Sequence, residues 1–486
     1  MAETDAMTGD TGEMLAEAWD ALGGDPGDLR LVRIDGDPAG LLPARLPAFA
    51  AMAAAVSAAT LAAAVLDGAR SGRAPAGVVI DARHVALAAR SERYARRLGS
   101  AGSAGFAPLS RFWRASDRWL RLHANYAWHQ QRALEVLRCD SRPESVAEAV
   151  ASRRAEDLEE ALAAHGALGF AVREPAEWRR HAQGRAVLGL ELVGSGTGPA
   201  AGRLGAAGGG AAGGGAAGRL AGGRGAAGVR VLDLTRVIAG PVATRTLAAW
   251  GAEVLRIDSP GLPEIPAQAV DTLPGKRSAL IDFADPPGRA QLEELLAGAD
   301  VLVQGYRPGA LARFGLGEEE LAGRHPHLSV VTLSAWGWHG PWAGRRGFDS
   351  LVQCPTGIAA TEGSGGQPGV LPAQVLDHAT GYLAAAAALL ALARVAQGGA
   401  PAHRRVALAR TAAWLTGRGT RDRAPERAVD PGPYLATLPG AEQPVQVITP
   451  PGRTGDLAPR WDRTADLGGD RAEFSARAPG EDVSFS

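Results

Sequence analysis

"VRVLDLTRVIAGPVATRTLAAWGAEVLRID", residues 229–258, passes from one apolar run through a helix-like stretch to a second apolar run. "VRVLDL" (229–234) and "AEVLRID" (252–258) are short and rich in Val, Leu and Ile, and "PVATRTLAAWG" lies between them. A strand, a helix and a second strand in that order make a parallel crossover. Strands of such sheets are buried on both faces, so they read as continuous apolar runs. The rhythm continues downstream in "SALIDF" (278–283), "DVLVQGY" (300–306) and "LSVVTLSAWG" (328–337), with helix-like "PPGRAQLEELLAGA" before the second of these. Apolar strands alternating with helices predict a parallel sheet covered on both faces. The fold class is α/β: a Rossmann-like, doubly wound parallel-sheet domain over residues 229–420, accompanied by a smaller α+β domain.

That smaller domain lies upstream of a low-complexity run, "GAAGGGAAGGGAAGRLAGGRGAAG" at 205–228. Gly and Ala alone bury no core and lose much entropy on ordering, so this run reads as a flexible linker spanning roughly 27 Å. Before it, "SRFWRASDRWLRLHANYAWHQQRALEVL" reads as two short strands followed by a helix. "AEDLEEALAAHGALGFAVREPAEW" reads as a helix, a turn at Gly166 and a strand. They place the α+β domain at 105–204. Residues 1–104 form a helical and strand segment that completes the large domain, and 421–486 an irregular C-terminal extension. One echo links the halves: "GRAPA" (72–76) and "GGAPA" (398–402) each follow an Ala-rich helix and precede a short strand and a helix.

A formal net charge of -1 over 486 residues gives no footprint for nucleic acid. Cys139 and Cys354 are the only cysteines, which excludes a disulfide framework; neither has a neighbour at metal-ligand spacing, so no metal site is expected. The N-terminus lacks the basic and apolar regions of a signal peptide. "FAAMAAAVSAATLAAAVL" (Phe49–Leu66) is mostly alanine without an aromatic belt, and reads as a buried helix, not a membrane span. The expected setting is cytoplasmic. Only Lys276 among the basic residues is lysine, a hint that its position wants an ammonium.

The segment from "GVRVLDLTRVIAGP" through "GKRSALIDF", "ADVLVQGYRPGALARFGLG", "SAWGWHGPWAGRRGFDSLVQ" and "VLDHATGY" resembles the family III CoA-transferases, a group that includes formyl-CoA transferase, carnitine CoA-transferase and 2-methylacyl-CoA racemase. "DARHVALAARSERY" and "FWRASDRWLRLHANYAWHQQRALEVL" resemble parts of the family that normally come later. The order is therefore inverted, and the two halves together would make one unit.

The resemblance implies an acyl-CoA:carboxylate CoA-transferase acting through a covalent aspartyl intermediate, with CoA thioesters as substrates, no permanent cofactor and a homodimeric assembly. "QVLDHATGYLAAAAALLALA" (374–393) puts Asp377 at the mouth of an Ala-rich helix, where Asp is a favoured cap. By resemblance Asp377 is the nucleophile, and helix N–H groups are expected to keep it ionised. His378, directly after it, is the weaker candidate for a base. Asp349 matches an acidic position that orients the acceptor or anchors its loop. For CoA the resemblance supplies Val237 and Ala239 near the pantetheine, Lys276 and Arg277 on a loop meeting the nucleotide, Tyr306 against adenine, and Arg307, Ala310 and Arg313 for adenosine and phosphates. Gly305 stands where the family usually has Asn. Phe348 stands where the racemases carry a proton-transferring His. A racemase-like isomerase and a CoA-binding homologue without catalysis are the alternatives. "GSGGQPG" (363–369) lacks phosphate-loop spacing and reads as a flap or plain turn.

Overall fold

The computed structural model describes residues 9–100, 105–196 and 223–476. The apolar runs assemble into a seven-stranded sheet. Its strands in chain order are β1 (Gly194–Ser195), β2 (Arg230–Leu234), β3 (Glu253–Asp258), β4 (Lys276–Leu280), β5 (Val301–Gln304), β6 (Ser329–Ser334) and β7 (His403–Ala407). Side by side they run β4-β3-β2-β5-β6-β7-β1. All neighbours are parallel except β1, which adds antiparallel to the β7 edge. Successive side chains face opposite cores: Val231, Val254, Val303 and Val331 enter one apolar cluster, and Leu232, Leu255, Leu302 and Val330 the other. Burial on both faces explains why these strands read as unbroken apolar runs. The direction of winding reverses between β2 and β5, which opens a crevice beyond their C-terminal ends.

Four helices frame that crevice or brace its walls: α1 (Ala48–Ser71), α2 (Ala239–Ala249), α3 (Val375–Ala396) and α4 (Leu408–Thr416). Both Ala-rich helices, α1 and α3, are long and apolar enough to cross a bilayer, and both are buried inside the protein. They pack on each other more extensively than any other pair of described elements. Gly381 lets α2 approach α3, since a Cβ there would stand 2.5 Å from the Ala239 carbonyl oxygen. The echoed segments share one local plan. Strand Val78–Asp81 and helix Ala82–Ala88 follow α1, as β7 and α4 follow α3. Val78–Asp81 nevertheless sits in a separate three-stranded sheet with Val32–Asp35 and Arg453–Thr454.

The α+β unit is an antiparallel sheet of Phe112–Arg114, Trp119–Leu122 and Gly169–Ala171 backed by helices Ala127–Leu137, Pro143–Ala151 and Ala155–Ala164 around its own core. It ends well before residue 204, because Trp178 and Val187 pack into the main core and β1 joins the main sheet. Two expectations need correction. Residues 205–222 lie outside the described residues, but the last part of the expected flexible linker is fixed on the end of α1. Arg70 donates to the Gly225 carbonyl at 2.7 Å, and the Gly225 N–H donates to Asp67 at 2.9 Å. The C-terminal extension is not irregular throughout. Leu435–Leu438 pairs with Val445–Ile448, which pairs with Arg96–Arg97, and Arg453–Thr454 pairs with Val78 and Val79. "GSGGQPG" is a tight turn, with Gly365 and Gly366 at positive φ and Ser364 bridged to Gln367.

Candidate active site

Beyond β2, β3, β5 and β6 the crevice deepens into a cavity of about 470 Å³. Its floor is made where strands end, at Leu234, Ile257, Gly305 and Leu333. One wall is the entry to α2, residues 237–240. Val237 holds φ +70° there, a left-handed conformation that a β-branched residue rarely adopts. Its N–H donates to Glu264 at 3.1 Å, and Glu264 also accepts from Arg256 at 3.1 Å and from the Tyr126 hydroxyl. Burial alone would raise the Glu264 carboxyl, but the Arg236 and Arg256 guanidiniums outweigh it and hold the group below its usual value. Glu264 thus ties the strained turn to the small domain.

Of the residues expected at the site, Val237, Ala239, Tyr306, Arg307, Ala310, Arg313 and Asp377 all line this cavity, as do Gly305 and Phe348. Lys276, Arg277 and Asp349 do not. Lys276 and Arg277 belong to strand β4 and not to a loop. The Lys276 ammonium is fully buried, 2.9 Å from Asp233, 2.6 Å from the Thr244 hydroxyl and 3.2 Å from the Pro241 carbonyl. Arg277 is closed off by Glu253 at 3.3 Å and the Glu473 carbonyl at 2.7 Å. The ammonium lies inside the domain, away from the cavity.

The opening of α3 brings Asp377 to the cavity. Gln374 is the N-cap and Asp377 stands in the first turn, so Asp377 is not the capping residue. Asp349 supplies that service from outside: its carboxylate accepts the Asp377 N–H at 3.0 Å while its other oxygen is held by Gln353. Burial lifts the Asp349 carboxyl to about 6 against the pull of these donors. No described group hydrogen-bonds the Asp377 carboxylate, which is 5 % exposed and opens on the cavity. Burial, then the Asp349 and Glu92 charges, raise it well above the usual carboxylate range. The expectation that helix N–H groups keep Asp377 ionised is therefore corrected: Asp349 takes the amide, and like charges crowd the acid.

Several lining residues escaped the sequence reading. Arg236, Arg345 and Arg346 add cations to the rim, and the small domain contributes Tyr126, Trp128 and His129. Tyr126 and Trp128 stack at 4.7 Å, the Arg236 guanidinium lies 5.3 Å from the Tyr126 ring, and Phe348 stacks on His123 at 4.2 Å. Burial, helped by Arg346, Arg132 and Arg236, lowers the His129 imidazole to about 4; burial, helped by His129 and Arg121, lowers His123 to about 3. These rings are neutral walls at neutral pH. The run "HANYAWHQ" carried the only signal, several rings in close succession.

These residues fall largely within a segment that is similar to known proteins. The model of CoA-transferase family III matches residues 226–432. The chain is 36% identical over 182 residues to the probable fatty acyl-CoA transferase Rv3272 of Mycobacterium tuberculosis, covering 34% of this chain and 45% of that protein. It is 35% identical over 167 residues to a formyl-CoA:oxalate CoA-transferase of Rhodopseudomonas palustris, covering 32% and 39% respectively. A crystal structure of Rv3272 in an orthorhombic form shares 31% identity over 39% of this chain and 57% of that one, with a TM-score of 0.36. The chain spans less than half the length of the curated relatives it matches.

Proposed function

We propose that the protein moves CoA between an acyl-CoA thioester and a free carboxylic acid, with Asp377 as the nucleophile. One observation carries the reading: a buried carboxylate without a hydrogen-bond partner opens on the cavity at the sheet's switch point. The parallel order β4-β3-β2-β5-β6-β7 is that of Rossmann-like dinucleotide folds, whose crevice accepts a nucleotide. Arg307, Arg313, Arg345 and Arg346 suit the phosphates, Tyr306 the adenine, and Val237 and Ala239 the pantetheine arm.

An Asp377 oxygen attacks the thioester carbonyl carbon, the C–S bond breaks, and CoA leaves as thiolate, giving a mixed anhydride on the enzyme. Further enzyme-bound acyl or CoA adducts lead to the new thioester. A desolvated carboxylate of raised basicity is a stronger nucleophile than one in water. Asp349 acts through the backbone, fixing the first turn that carries Asp377. Phe348 carries no proton, which counts against racemase-like exchange. The test is hydroxylamine trapping during turnover with an acyl-CoA. Asp377→Asn is expected to abolish the adduct and to lower kcat by at least about 10³-fold; trapping at the wild-type level overturns the assignment.

A further inference from the structure

His378 follows Asp377 and points away from the cavity into the protein. Its ring is fully buried, Nε2 lies 3.3 Å from the Glu92 carboxylate, and Nδ1 faces no described partner. Glu92 is carried by the 3-10 turn Ser91–Arg93 of the N-terminal segment. That turn is bolted down: the Ser91 hydroxyl donates to Asp271 at 2.9 Å and accepts from Arg245 at 2.9 Å, and Arg245 pairs with Asp271 at 2.8 Å. So rigid a mounting fixes a charge with little reorganisation.

We propose that Glu92 and His378 form a positioning pair for the reaction centre, a charge brought in from the N-terminal segment that seats the first turn of α3 and sets the pH range over which Asp377 works. The proposal rests on the reading of Asp377 as nucleophile. Of the two charges that act on Asp377, those of Asp349 and Glu92, Glu92 is the adjustable one. Asp349 is committed to the α3 amides, and Arg245 of α2 is closed on Asp271. Arg410 of α4 is turned to the Leu190 carbonyl, and Arg93 donates to the Pro372 carbonyl. The Glu92 charge is one of the causes that raise the Asp377 carboxyl, and the bond from His378 holds Glu92 itself ionised against burial.

Glu92→Gln keeps the shape and removes the charge. Asp377 should then lose its proton at lower pH, so the acidic limb of the kcat/KM profile is expected to move down by about 1 unit. Glu92→Asp, which keeps the charge, should leave the limb near that of the wild type. A limb that stays put in Glu92→Gln overturns the proposal. The same titration is read without turnover, by carbon-13 NMR of aspartate-labelled wild-type and Glu92→Gln protein, with Asp377→Asn assigning the signal. Failure of wild type to form a trapped adduct sinks the nucleophile reading; an Asp377 titration that does not respond to Glu92→Gln sinks the pair.

Discussion

At the scale of single residues, Lys276 separates what composition reveals from what it conceals. The lone lysine in a chain otherwise supplied with arginine sits among three acceptors that converge on one compact ammonium. The chemistry was legible, but not the location, because an ammonium serves a buried aspartate as readily as a phosphate. Lys276→Met leaves Asp233 charged and unpaired in a dry site, at an expected cost of about 3–5 kcal/mol. Adding Asp233→Asn should recover part of that loss, which thermal or urea melts of the double-mutant cycle will show. Asp377 does stand on the cavity, in the first turn of the Ala-rich helix. The environment that raises it was not legible, since Asp349 and Glu92 reach it from elsewhere in the chain.

The elements were easier to read than their partners. Five of the sheet's parallel strands announce themselves as apolar runs, because burial on both faces leaves no alternation to disguise them. The two-residue β1 carries no such signal and exists only because β7 leaves an edge for it. Helix boundaries in alanine-rich sequence are likewise set by packing, as where Gly381 meets the start of α2. Gly381→Ala pits better helix propensity against a Cβ 2.5 Å from the Ala239 carbonyl oxygen and 2.8 Å from the Val242 Cβ. Overpacking is expected to win by about 1–3 kcal/mol, lowering the thermal midpoint. Because the clash lies one turn beyond Asp377, the same variant should lose activity at temperatures where it remains folded.

Across the whole molecule, the two halves of the sequence stand on either side of 205–228, yet their contacts interleave. The N-terminal half supplies α1 against α3, Glu92 against His378, and Tyr126 and His129 on the cavity wall. Chains 1–204 and 223–486 made separately should therefore each lack a complete cavity, and coexpressed they should copurify and regain thioester exchange; independent folding of either piece contradicts this interleaving. The echo between the halves reaches into the two Ala-rich helices themselves. Setting Gly72 on Gly398 lays α1 over α3, strand Val78–Asp81 over β7, and helix Ala82–Ala88 over α4. In that register Ala51 falls opposite Asp377 and Met52 opposite His378. One helix of the pair is thus chemically silent and electrically empty where its counterpart holds an uncomfortable acid. The silent twin is left to give rigidity alone, so the destabilising burden of a buried carboxylate falls on each polypeptide once instead of twice.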